Sequence, residues 1–367
     1  MSRATDEALR RAVRALADEA RGVDGLAALA MARGRRVRRR RRAVGTVAGV
    51  AAFLVLAAPF VWLRPGSGPD YVQPVGALTG APSAPGDEWT RTPFPLSDSM
   101  MIIGGTSTGS PSVHSYAFDR TRDGYPSFAE YDELWAAPRG NLAAAYDYSR
   151  REETGLVDVP TRRVDWVRTG NHLQRPQWSP DGGRLLLTAT NKESPTGLTA
   201  VILTAADHQV REIPVDGERY PCTGPCQFTW SPDGTEIVLP QTDPGQPPAG
   251  SGPDPRRGLQ LFSAATGEPT RLLPIRGEVT GPYSWSEDGE LVVVRGARAQ
   301  LTDARTGQVV RGLPGGDAFW VAGDRLMYPD GEGENVVLAE IDLLGNELRR
   351  VPLPPELAHR ELLVGPR

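Results

Sequence analysis

The chain has 367 residues, 41 basic against 45 acidic, and only two cysteines and four histidines, a size that holds one large domain plus extras. Its net charge of −4 hides a division: residues 1–42 carry 13 arginines and 5 acidic residues, a balance of +8, and the other 28 basic and 40 acidic residues give −12. An acidic bulk argues against nucleic-acid binding there.

Residues 1–32 read as a short helix. Thr5 can cap it, Asp6 and Glu7 suit the positive end of its dipole, and Leu9, Val13, Leu16 and Ala20 recur at helical spacing before Gly22 and Gly25 weaken the pattern. The segment is either a docking helix for a cytosolic partner or a solvated juxtamembrane stretch. Residues 33–42 hold eight arginines (Arg33, Arg35, Arg36 and the run from Arg38 to Arg42), so 1–42 form a basic cytosolic tail. Residues 43–63 follow without a charge. At about 1.5 Å per residue, such a helix spans the roughly 30 Å hydrocarbon core. The arginines act as a positive-inside stop, fixing the N-terminus in the cytoplasm and the C-terminal domain outside. They are also expected to hold anionic membrane lipid, at about 1 kcal/mol each. A retained signal anchor is favoured over a cleaved signal peptide, whose charged region would be unusually long. Residues 64–89, rich in Pro, Gly, Ser and Ala, read as a semi-stiff linker.

Residues 90–367 are expected to form the extracytoplasmic domain. Trp-Ser-Pro-Asp-Gly occurs at Trp178, Asp181 and Gly182, recurs at Trp230, Asp233 and Gly234, and returns with Glu for Pro at Trp285, Asp288 and Gly289. The start-to-start spacings are 52 and 55 residues, and an apolar run follows each copy (185–187, 237–239, 291–294). Trp fills space between packed sheets, while Ser-Pro-Asp-Gly is turn chemistry that delivers the chain into a second strand. Third and fourth strands follow, the fourth at 268–275, 308–313 and 347–353. Each unit is then four short antiparallel strands, a propeller blade. Decayed copies start at Trp135, with an apolar run at 142–146, and at Trp320, with a run at 326–328.

The pattern resembles the TolB-type β-propeller repeat, a relative of the WD-repeat. The resemblance implies an all-β fold and protein partners, not a chemistry. The expected fold is a six-bladed propeller behind an N-terminal transmembrane helix. The sixth blade closes across the termini, taking its first strand from 361–364 and the rest from 100–104, 113–118 and 124–128. Five blades is the alternative, since the closing blade has no Trp motif.

Two inserts interrupt the pattern, at 216–226 and 243–257. One joins the last strand of a blade to the first of the next; the other joins second to third strands. Both therefore emerge at the end of the strands opposite the Trp-Ser-Pro-Asp-Gly turns. Loops on a rigid scaffold carry binding, so Tyr220, Arg256 and Arg257 are the candidate contacts, against the plainer reading of tolerated insertions. Cys222 and Cys226 flank Thr-Gly-Pro and are expected to form a disulfide outside the cell.

Chemistry is sparse. The Gly-x-Ser-x-Gly match at 105–109 is not followed by a helical stretch, as a nucleophile elbow requires. His114, His172, His208 and His359 fit no ligand spacing, and no phosphate loop or dinucleotide fingerprint occurs, so no catalytic residue, metal or cofactor is assigned. The expectation is a non-catalytic protein-binding or scaffold module at the cell envelope, with an envelope protein as partner. The alternatives are an envelope enzyme (lyase, lactonase or glycan hydrolase) at the channel mouth, and a signalling receptor coupled to the N-terminal tail.

Overall fold

The computed structural model describes residues 87–367 apart from 108–113, 171–174, 191–196, 247–253, 297, 332–334 and 359. The expected cytosolic tail, membrane span and most of the linker lie outside the described residues, as do His172 and His359. No helix among the described residues is long and apolar enough to cross a membrane.

The chain builds six antiparallel sheets in succession. Blade 1 holds β1 (Phe94–Pro95), β2 (Met100–Thr106), β3 (Ser115–Ala117) and β4 (Ser127–Phe128). Blade 2 holds β5 (Glu133–Ala136), β6 (Leu142–Tyr146), β7 (Glu153–Asp158) and β8 (Val164–Arg168). Blade 3 holds β9 (Gln177–Trp178), β10 (Arg184–Thr190), β11 (Leu198–Thr204) and β12 (Val210–Val215). Blade 4 holds β13 (Thr229–Trp230), β14 (Glu236–Thr242), β15 (Arg256–Ser263) and β16 (Pro269–Leu273). Blade 5 holds β17 (Leu291–Val294), β18 (Gln300–Asp303) and β19 (Val309–Gly312). Blade 6 holds β20 (Phe319–Ala322), β21 (Arg325–Asp330), β22 (Val337–Asp342) and β23 (Glu347–Pro352). One turn of helix, α1 (Pro355–Ala358), leads to β24 (Glu361–Pro366), which pairs with β2 from Met100↔Pro366 to Thr106↔Glu361. The last strand thus enters the first blade, as expected for a six-bladed closure, and removes a free edge.

The apolar runs are continuous because each blade is buried on both faces. In β10, Leu185 and Leu187 pack into the cluster shared with blade 2, while Leu186 packs into the one shared with blade 4. In β14, Ile237 and Leu239 face blade 3 and Val238 faces blade 5. The core is therefore a set of seams between blades, split by the two-residue period of a strand.

The Trp motif ties these seams. Trp178 Nε1 donates to Trp135 O at 2.8 Å, Trp230 Nε1 to Gln177 O at 2.8 Å, and Trp320 Nε1 to Ser284 O at 3.1 Å. Each indole bonds the inner strand or turn of the preceding blade. The turns repeat closely. Ser179, Ser231 and Ser286 donate Oγ to Asp181, Asp233 and Asp288 at 2.5, 2.6 and 2.7 Å, and each Oγ accepts the amide five residues on. Gly182, Gly234 and Gly289 take φ of 73°, 68° and 69°.

Blade 5 departs from expectation. Its Trp copy is not preceded by a strand but by a 3-10 turn, Pro282–Ser284, and Trp285 keeps a single bridge to Val292. Pro282 has no amide to donate and Gly281 has no side chain to pack, so a ladder is not continued there.

Candidate functional site

In each meander the turns from first to second and third to fourth strand lie at one end, the turn end. The remaining connections lie at the other, the insert end. The 216–226 insert falls between β12 and β13, as expected. The second insert is shorter than its expected 243–257, because Arg256 and Arg257 belong to β15 and Arg256 pairs with Thr242.

The two inserts are bonded to each other. Cys222 and Cys226 form the expected disulfide, with Cα atoms 6.0 Å apart. Thr223 N donates to Thr242 Oγ1 at 2.8 Å and its hydroxyl to Asp254 Oδ2 at 2.6 Å. Thr242 N donates to Pro221 O at 2.8 Å. Arg256 is buried among them, donating Nη1 to Thr223 O at 2.9 Å and to Thr242 Oγ1 at 3.0 Å. Its Nη2 meets Glu278 Oε1 at 2.5 Å, and Glu278 O accepts the amide of Arg295 at 2.9 Å. One arginine therefore joins loops from blades 3, 4 and 5.

Of the three residues expected as contacts, Arg256 directs its guanidinium inward to these partners. Tyr220 stands edge-on to Phe262, ring centroids 5.1 Å apart, with Arg219 over its ring. Arg257 is the extra residue of a β-bulge, since Gln241 pairs with Gly258 and Thr242 with Arg256, and its Nη2 reaches Gln241 Oε1 at 3.4 Å.

A second set of residues, not singled out in the sequence, meets at the central mouth of the insert end. Each stands where an inner strand begins: Glu133 in β5, Arg175 before β9, Asp317 before β20 and Glu361 in β24. Glu361 pairs with Arg175. Burial raises the Glu361 carboxyl above its ordinary value, opposed by Arg175 and Arg295 and reinforced by Glu133. Burial likewise raises Asp317, with Arg295 opposing. Glu133 accepts Trp135 Nε1 at 2.9 Å and the Tyr148 hydroxyl at 2.6 Å, and that bond is the main cause that pushes Tyr148 up to about 12. The sequence signal, a charged residue at or just before each inner strand, is visible only once those strands are known to converge. At the outer rim, Ser149, Arg150, Arg151, Glu152, Glu153 and Arg168 line a shallow, open concavity. Among the described residues no group of three or more His, Cys, Asp or Glu is arranged to hold a metal.

No family model matches the chain, and no curated protein matches it. Among solved structures, TolB from Acinetobacter baumannii is similar with a TM-score of 0.48 at 16% identity, over 70% of this chain and 64% of that one. The chain thus covers under two thirds of that protein. The β-propeller domain of the Trilobed protease from Pyrococcus furiosus, described as having an open velcro topology, is similar with a TM-score of 0.46 at 13% identity, over 72% of this chain and 84% of that one. Likeness at this level assigns no function, which rests on the chain's own residues.

Proposed function

We propose that this protein is a membrane-anchored, extracytoplasmic propeller that binds an envelope protein through its insert end, without catalysis. The observation that carries the reading is the cross-bonded pair of inserts: Arg256 and the Cys222–Cys226 disulfide hold 216–226 and the ends of 243–257 in one arrangement beside the charged mouth. Preorganised loops bind at a lower entropic cost. Arg175 and Arg295 beside Glu133, Asp317 and Glu361 offer a mixed-charge surface suited to a polar protein rim. The disulfide is consistent with an oxidising compartment. The described chain enters at the turn end, where Tyr125 N bonds Thr90 O at 2.6 Å. Residues 43–63 serve as the anchor and the arginine run meets anionic lipid.

The test is site-specific photo-cross-linking of the full-length protein in cells. A cross-linker at Pro225, on the insert end, should capture one envelope protein reproducibly, and one at Glu287, on the turn end, should not. Cys222→Ser with Cys226→Ser should weaken that capture. Equal capture from both ends, or none from Pro225, overturns the reading.

One observation favours an enzyme as the second reading. Glu361 and Asp317, both raised by burial, stand at a channel mouth, and a carboxyl of raised proton affinity is the equipment of general-acid chemistry. Turnover of a lactone or glycan by the full-length protein, abolished in Glu361→Gln, supports it; no turnover across such a panel retires it.

A further inference from the structure

The turn end has its own mouth, where two arginines and a tyrosine meet. The 3-10 turn of blade 5 projects into the channel: a Cβ at Gly281 would lie 3.0 Å from Gln177 Oε1 of blade 3, two blades away. Tyr283, on that turn, packs against the cluster built by blades 1, 2 and 6. Its hydroxyl is buried and makes no hydrogen bond among the described residues.

Two arginines reach the same place. Arg120, from the turn between β3 and β4, donates Nη2 to Pro138 O at 2.8 Å and Pro366 O at 2.9 Å, at the ends of two inner strands. Its backbone amide donates to Asn141 Oδ1 at 2.8 Å, and its other guanidinium N–H groups make no hydrogen bond among the described residues. Arg139 follows Pro138 and is exposed. Its backbone is pressed by the first Trp-Ser-Pro-Asp-Gly turn, where a Cβ at Gly182 would stand 2.8 Å from Arg139 O. Neither arginine is ion-paired among the described residues. The adjacent carboxylate, Asp119, is turned away, accepting the amides of Thr121 and Arg122 at 2.8 and 3.2 Å. Burial, and then Arg139, lower the proton affinity of Arg120, and both arginines act on Tyr283 against the effect of its burial. The three groups therefore share one electrostatic neighbourhood.

We infer that this mouth binds an oxyanion group, a phosphate or carboxylate, between the guanidiniums of Arg139 and Arg120 with the Tyr283 hydroxyl as a third donor. Two guanidiniums held together repel each other until an anion joins them, and charge-assisted bonds from a guanidinium fork to an oxyanion are strong. A buried phenol without a partner is costly unless an acceptor arrives. The oxyanion comes from one of two sources, free phosphate or a phospholipid head group.

Calorimetric titration of the full-length protein in neutral detergent at constant ionic strength separates them. One arm uses inorganic phosphate, the other a short-chain phosphatidylglycerol below its micelle concentration. The expected result is saturable binding of at least one probe. Arg139→Gln should weaken it by roughly tenfold or more, Tyr283→Phe by about threefold or more, and the exposed Arg298→Gln on the insert end not at all. Lipid binding by the 33–42 arginine run is a background common to every variant. Binding of phosphate assigns a free oxyanion, and binding of phosphatidylglycerol alone assigns a lipid head group. Binding of neither, or binding that Arg139→Gln and Tyr283→Phe leave unchanged, overturns the inference.

Discussion

Arg256 and Glu278 form an ion pair at 2.5 Å across the seam between blades 4 and 5, with the arginine side chain 3% and the glutamate side chain 25% exposed. Because Arg256 also donates to Thr223 O and Thr242 Oγ1, the pair fixes an insert as well as a seam. Removing Arg256 leaves a glutamate that water reaches in part, so the cost is about 3 kcal/mol, the low end of the range for a buried pair. Arg256→Ala should therefore lower stability in urea titration by about that amount and speed amide exchange in 216–226. A loss near zero would mean the guanidinium is solvated in solution.

Trp230 and Trp285 occupy equivalent positions in neighbouring blades and bury similar rings, yet only one indole N–H is bonded across the seam. Trp230 donates to Gln177 O, and Trp285 Nε1 is buried without a partner among the described residues. Trp→Phe at both sites removes comparable area, so the difference isolates the bond. Trp230→Phe should cost more than Trp285→Phe by about 0.5–1.5 kcal/mol in denaturant unfolding.

Acid should loosen the turns. Hydrogen bonds from Ser179 and Gly183 lower Asp181 from 3.8, and in Asp233 burial raises it but is outweighed by bonds from Ser231 and Thr235. With a depressed folded-state value, the unfolded chain takes up the proton first. The stabilisation is complete above the ordinary aspartate range and fades as pH falls through it. The melting temperature should fall as pH drops below about 4, and less steeply in Asp181→Asn with Asp233→Asn. An unchanged slope would assign acid lability to other carboxylates.

Gly182 and Gly140 share a φ of 73°, but a Cβ meets Arg139 O at 2.8 Å at the first and nothing within 4 Å at the second. Gly140→Ala should cost only the left-handed backbone penalty, about 1–2 kcal/mol. Gly182→Ala should cost more in the same thermal melt and, by displacing Arg139, weaken phosphate binding at the turn end. Equal costs would show that the turn can retreat.

Much of the architecture is carried locally. Ser-Pro-Asp-Gly dictates a turn through its own hydrogen bonds and one left-handed glycine, and Leu185, Leu186 and Leu187 announce a strand buried on both faces. Three of the six blades carry that turn, and two more, starting at Trp135 and Trp320, carry a decayed copy. The closing blade follows from leftover strands at both ends of the chain. The disulfide follows from two cysteines flanking a bendable Gly-Pro. Blade 5 escaped the pattern because Pro282 overrides a strand that Trp285 otherwise promises.

What side chains do at the mouths is not local. Arg256 reads as a surface cation, and its partner Glu278 stands 22 residues away. Glu361 and Arg175 come from opposite parts of the chain and meet only because β24 closes the ring. Arg120 and Arg139 lie in the first two blades, and Tyr283 joins them from the fifth. Repetition of turn and strand determined the propeller from the sequence alone. Convergence of inner strands on one axis decided which charges become neighbours, because the ring brings together residues whose separation along the chain carries no signal of their contact.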